Sequence, residues 1–354
     1  MNIYDLHEET WKRLGEWRDR LPHALLLTGQ RGIGKFDLAR ALAESLLCEN
    51  PLPSRVACGK CLACGWMAQG NHPDFRLVQP EALAEDEGDG VGNDAGSGKK
   101  KPSQQIVIEQ IRALDDFLHV GTHRQGMRVV LLHPAEAMNR NTANSLLKSL
   151  EEPIPGTLFL LVSNEPERLM PTIRSRCQQL GIPLPESSRA QAWLAAAGVR
   201  EAAHWLALAG GSPLLAVELG SGDEHVLLDA LMAELMKGGR IDPLAAAAAL
   251  DRVVKAEKRP APLKRLVEWG QKCFADLILL RAGQAPRYFL AQSAQSAALK
   301  EIALRVGLSE LLAFNRKALQ YRQQCEQPLN SRLFLEDYFL NYALLFEPVR
   351  EAHG

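Results

Sequence analysis

A glycine-rich loop ending in lysine, set between an apolar run and a helical pattern, constrains this chain more than any other feature. Leu21-Pro22-His23-Ala24-Leu25-Leu26-Leu27-Thr28 reads as a strand, Gly29-Gln30-Arg31-Gly32-Ile33-Gly34-Lys35 as the loop, and Phe36 to Leu47 as a helix. Strand, loop and helix in that order are the setting in which a G-x-x-x-x-G-K segment cradles phosphates with its backbone amides and its lysine. Further strands are expected at Asp74 to Val78, Met127 to Leu132 and Leu158 to Val162, with helical patterns at Ile106 to His119 and Asn141 to Leu150. Such alternation predicts a parallel sheet covered by helices and ending near Leu180.

The chemistry of the loop is incomplete. Phe36 stands where a Ser or Thr hydroxyl should hold Mg²⁺, and the strand ending at Leu132 runs into His133-Pro134, where a nucleotide hydrolase carries its acidic pair. Hydrolysis in cis therefore lacks both a metal ligand and a group to orient water. Gly29, Gly32, Gly34 and Lys35 remain candidates for a vestigial nucleotide site, because loop amides and a lysine can still hold phosphate. ATP binding there is doubtful, and Lys35 as a solvated remnant is the competing reading.

Seven cysteines divide into a cluster, Cys48, Cys58, Cys61 and Cys64, and three scattered residues. In a reducing compartment C-x-x-C spacing points to metal more often than to a disulfide. The spacing Cys58-x-x-Cys61-x-x-Cys64 cannot place three thiolates on one helical face, so it predicts a tight knuckle. Cys48, at the end of the preceding helix, can close a tetrahedral site, with His72 as the rival fourth ligand. No general base stands nearby, so the expected role is structural.

The chain has 354 residues, 46% of them hydrophobic, and a net charge of -1. This composition suits a soluble protein of two or three domains. No apolar run approaches the ~18 residues of a membrane span, and the N-terminus lacks the regions of a signal peptide. A cytoplasmic protein without a membrane partner is expected. Near-neutral charge argues against a chain that coats nucleic acid. Residues 81–104 turn acidic and glycine-rich, then basic, which predicts a flexible surface loop. Gly181-Ile182-Pro183-Leu184-Pro185 reads as a linker. Short helices follow to about residue 222, then longer ones, one opened by Asp242-Pro243 as cap and first-turn proline. Trp269 and Phe274 fit a core or a subunit interface.

Asn144-Ser-Leu-Leu-Lys-Ser-Leu-Glu-Glu-Pro153, Phe159-Leu-Leu-Val-Ser-Asn-Glu-Pro-Glu-Arg-Leu169 and Thr172-Ile-Arg-Ser-Arg-Cys177 resemble bacterial clamp-loader subunits of the AAA+ class. The resemblance implies an α/β then all-α fold: an AAA+ parallel-sheet domain over 1–181, with a zinc insertion at about 48–72, a helical lid over 182–222 and a helical collar over 223–354. It implies structural Zn²⁺ on Cys48, Cys58, Cys61 and Cys64. It also implies a place in a five-subunit loader of the DNA polymerase III holoenzyme, which opens a ring-shaped sliding clamp and sets it on primed DNA. The implied role is that of the stator, with gamma/tau and delta subunits as partners.

The motor subunits of that class carry an arginine in a G-S-x-R lid sequence, whereas Gly211-Ser212-Pro213-Leu214 has leucine there. In the class the arginine of Ser-Arg-Cys reaches into a neighbour's ATP site, which assigns that role to Arg176 and more weakly to Arg174. Taken alone, both arginines would be read as capping a helix end or pairing with a local carboxylate. An active motor ATPase is the alternative opposed by His133 and Pro134. A zinc-dependent nucleic-acid binder is opposed by neutral charge and by the lack of interleaved aromatic and basic residues near the knuckle.

Overall fold

The apolar runs form the strands, and their alternate residues feed two faces of one sheet. A computed structural model describes residues 2–84, 102–119, 126–221, 224–257, 261–290, 294–325, 327 and 329–347. The chain divides into two compact units, Met1–Glu186 and Ser187–Gly354.

The first unit holds β1 (Ala24–Thr28), β2 (Phe75–Val78), β3 (Arg128–Leu132), β4 (Thr157–Ser163) and β5 (Gln178–Gly181). They form one parallel sheet in the order β2-β3-β4-β1-β5. The three inner strands are almost wholly buried, as expected of parallel strands covered on both faces. Leu25, Leu27, Leu158 and Leu160 face one apolar cluster with Leu38 and Leu42, while Leu26, Phe159 and Leu161 face another with Leu146 and Ile173. The helices are α1 (Ile3–Leu6), α2 (Glu8–Glu16), α3 (Lys35–Leu47), α4 (Leu62–Ala68), α5 (Glu81–Ala84), α6 (Ile108–His119), α7 (Arg140–Glu151) and α8 (Pro171–Arg174). Because Thr28 pairs with Ser163 and Leu132 with Leu161, the residues that follow β1, β3 and β4 gather at one end of the sheet. Ligands bind at that end in open α/β sheets.

The expected strands and helices are present with boundaries shifted by a few residues. β5 was hidden in the expected end of the sheet. It is an edge strand whose Gln178 and Gln179 are exposed, so it carries no apolar alternation. Of the loop expected at 81–104, residues 85–101 lie outside the described residues; its ends meet, with the Ser103 amide donating to Glu81 Oε2 at 3.1 Å.

The second unit is all helical: α9 (Ser187–Ala196), α10 (Ala202–Leu208), α11 (Pro213–Ser221), α12 (Glu224–Leu235), α13 (Pro243–Ala256), α14 (Pro262–Arg281), α15 (Ala294–Arg305), α16 (Leu308–Gln324) and α17 (Ser331–Ala343). Asp242 Oδ1 caps α13 by accepting from the amides of Leu244 and Ala245. Trp269 and Phe274 are buried, and Phe274 stacks on Phe314 with ring centres 4.4 Å apart. A Cβ at Gly270 would collide with the Tyr338 hydroxyl, so α14 and α17 approach closely there. Among the described residues no helix is long and apolar enough to cross a membrane.

Candidate functional site

The phosphate loop follows the inner strand β1 and caps α3. Gly29, Gly32 and Gly34 have φ of 151°, 78° and 88°, values that favour glycine. A Cβ at Gly29 would also lie 2.7 Å from the Ile182 carbonyl. Lys35 is 3% exposed, and its ammonium turns back onto its own loop. It donates to the carbonyls of Gly29 (2.8 Å) and Gln30 (2.7 Å) and to Asn164 Oδ1 (2.8 Å). Burial pulls its pKa down to about 8, and the nearby Glu136 carboxylate opposes that fall. Lys35 is thus an internal tie rather than a solvated remnant.

Phe36 and His133 stand at the two sequence positions that lack a metal-holding hydroxyl and an acid. Their rings lie against each other with centres 4.7 Å apart and planes inclined by 32°. Burial, with the charges of Lys35 and Arg31 adding to it, lowers the His133 pKa to about 4, so the imidazole is neutral at pH 7. Its Nδ1 is buried with no hydrogen-bond partner among the described residues. The nearest acid of this segment, Glu136, uses Oε1 to accept from the Asn164 amide at 2.9 Å. Glu136 and Asn164 were not singled out from the sequence. Their signal was positional: each follows closely on a strand that ends beside the loop.

The four clustered cysteines come together. Their sulfurs all lie within 4.8 Å of one another, and Cys48–Cys61 and Cys58–Cys64 are each 3.9 Å apart. A tetrahedral ion with ~2.3 Å metal–sulfur bonds needs sulfurs roughly 3.8 Å apart, so the donor set fits a metal. Backbone amides converge on the same sulfurs. Those of Lys60 and Cys61 donate to Cys58 Sγ at 3.4 Å and bring its pKa down to about 6, while burial pushes Cys64 up to about 12. Cys61 also caps α4 by accepting from the Cys64 amide at 3.4 Å. His72 stays outside the cluster. It is buried, its Nδ1 accepts from the Asp74 amide at 3.1 Å, and its ring edge meets Trp66.

Arg176 lies just beyond α8, with its side chain 35% exposed. Its Nη1 donates to the Thr172 carbonyl at 3.0 Å and to Ser175 Oγ at 3.4 Å, and its Nη2 pairs with Glu151 Oε1 at 2.5 Å. Arg174 turns inward toward the Pro166 carbonyl at 3.4 Å, and its Nε is buried. Both arginines are half-buried, and Arg176 is the one paired with a carboxylate.

The profile of the family described as DNA polymerase III, delta subunit, matches residues 7–186. The chain is 44% identical over 222 residues to DNA polymerase III subunit delta' of Pseudomonas aeruginosa, covering 62% of this chain and 61% of that protein. It is 38% identical over 164 residues to subunit delta' of Bacillus subtilis, covering 46% and 43%. It is also 33% identical over 158 residues to DNA polymerase III subunit gamma of Buchnera aphidicola, covering 45% and 37%. In each case the match spans less than two thirds of the relative.

Proposed function

The chain belongs to the DNA polymerase III delta-subunit family, and from that membership we propose that it is the non-hydrolysing stator of a clamp loader. In this reading it assembles with gamma/tau and delta subunits in the cytoplasm and helps place a sliding clamp on primed DNA. Arg176 reaches an ATP bound by a neighbour. Residues 182–222 act as a lid and 223–354 as the oligomerising collar. The observation that carries the reading is the Phe36–His133 stack at the two positions that lack a metal-holding hydroxyl and an acid, with a lysine spent on its own loop. Phosphoryl transfer depends on a held metal and an oriented water, and positions 36, 133 and 134 provide neither. The four thiols would hold Zn²⁺. The ion supplies no reaction step; the cysteines use it to pin the segment after α3.

Arg176 suits the proposed role because a guanidinium is planar, permanently charged and able to engage phosphate with two donors. Such a finger contributes roughly 10³ to 10⁵ in rate in favourable GTPases, but only one of several sites in a loader would depend on this residue. The test is ATP turnover by the isolated chain and by loader reconstituted with wild-type, Arg176→Ala or Arg176→Lys protein, with assembly followed by gel filtration. The isolated chain should be inactive. The alanine variant should assemble yet lose part of the clamp- and DNA-stimulated turnover, and lysine should restore little of it. Turnover by the isolated chain overturns the non-hydrolysing reading, and an alanine variant with full activity reduces Arg176 to a structural residue.

A further inference from the structure

We propose that Glu151 is the resting counter-ion of Arg176, a carboxylate that holds the guanidinium until phosphate of a nucleoside triphosphate bound by another chain displaces it. The inference rests on the reading of Arg176 as acting in trans. Three observations carry it. First, the Glu151 carboxylate meets Arg176 Nη2 at 2.5 Å, while Nη1 is held by the neutral Thr172 carbonyl and Ser175 hydroxyl. A carboxylate at that distance cancels much of the charge a phosphate would use, so the two anions compete for one cation.

Second, Glu151 is the last residue of α7, where the unpaired carbonyls of the helix end disfavour a negative side chain. Arg176 offsets that cost in the free chain. Once Arg176 leaves, the carboxylate returns to water rather than to a buried site, since its side chain is 47% exposed. Third, the pair itself is exposed on both sides, which places it among ion pairs worth little. A weak pair is what an exchange requires: strong enough to bias the free side chain, weak enough for a polyphosphate to displace. Thr172 and Ser175 hold only Nη1, through neutral acceptors, so Glu151 is the charged partner that a phosphate must replace.

The experiment uses loader reconstituted with wild-type, Glu151→Gln, Glu151→Ala, Arg176→Ala or Glu151→Gln/Arg176→Ala protein, each checked for assembly by gel filtration. Turnover is measured against ATP concentration at low and moderate salt. Removing the competitor should lower the ATP concentration at which the Arg176-dependent part of the turnover, the part lost in Arg176→Ala, is half-maximal by roughly two- to five-fold at low salt, the factor released by a pair worth about 0.4–1 kcal/mol. The gain should shrink as salt screens the pair, and it should vanish in the Arg176→Ala background. If Arg176→Ala impairs turnover while both Glu151 variants leave it unchanged or lower it, the counter-ion role is overturned and the trans role of Arg176 stands. If Arg176→Ala has no effect, the reading beneath this inference fails instead.

Discussion

Lys35 shows how one residue can keep its identity and change its task. In a working phosphate loop the ammonium faces the nucleotide, whereas here it satisfies two carbonyls of its own loop and Asn164, which is tied in turn to Glu136. Lys35→Met should therefore remove a charged donor from three acceptors that are at most partly buried, and cost about 1–3 kcal/mol. Thermal unfolding checks this at about 2–4 °C per kcal/mol for a unit of this size, and an unchanged melting temperature would mean that the tie contributes nothing. His133 makes a second, pH-linked case. Its imidazole titrates near 6.5 when unfolded and near 4 in the folded chain, chiefly because it is buried. Between those values the unfolded chain takes up a proton that the folded one refuses, so stability falls as pH drops from 6.5 toward 4. The loss is at most about 3 kcal/mol, at ~1.4 kcal/mol per pKa unit. His133→Phe retains an aromatic partner for Phe36 without the titration, and urea unfolding from pH 7 to 4 should show a shallower acid limb than wild type. Parallel limbs would count against the assignment.

At the scale of elements, the inner strands were legible because burial on both faces makes them continuous apolar runs, and α13 because Asp242-Pro243 announces its start. β5 was not, since an edge strand with exposed glutamines has no pattern to read. Nor was α1, four residues long with one buried position. For the sites, the glycines, lysine and cysteines were legible from spacing, while Glu136, Asn164 and Glu151 were not, because their partners lie far away in sequence. The knuckle gives a prediction at this scale. Its segment between Cys48 and Leu62 has little regular structure, so thiolate ligation and local order should be coupled. Protein prepared without chelator should contain one Zn²⁺ per chain. Cys61→Ser removes a ligand while keeping an N-cap oxygen for α4, and should abolish metal retention and raise hydrogen exchange over residues 48–68. The sheet strands should stay protected. Metal content near zero in the wild type, with all four thiols freely titratable, would refute the site.

For the whole molecule, the family match ends at residue 186, where the first compact unit also ends. That coincidence has a physical basis in the packing. Both faces of the sheet are covered by helices of the same unit, and the two apolar clusters that result draw only on residues before 187. The four thiols and the whole phosphate loop lie within the unit as well. A chain ending at Glu186 should therefore fold cooperatively and keep its metal, since a unit of this length can bury enough apolar surface to be stable alone. If α12 to α17 form the collar, the same fragment should fail to enter the loader despite presenting an intact Arg176. Circular dichroism melting and elemental analysis test the first expectation. Gel filtration with gamma/tau and delta subunits tests the second. A fragment that melts without a cooperative transition would show that the first unit depends on the second, whereas a fragment that assembles as well as the full chain would assign oligomerisation to the α/β unit and remove the proposed role of the helical one.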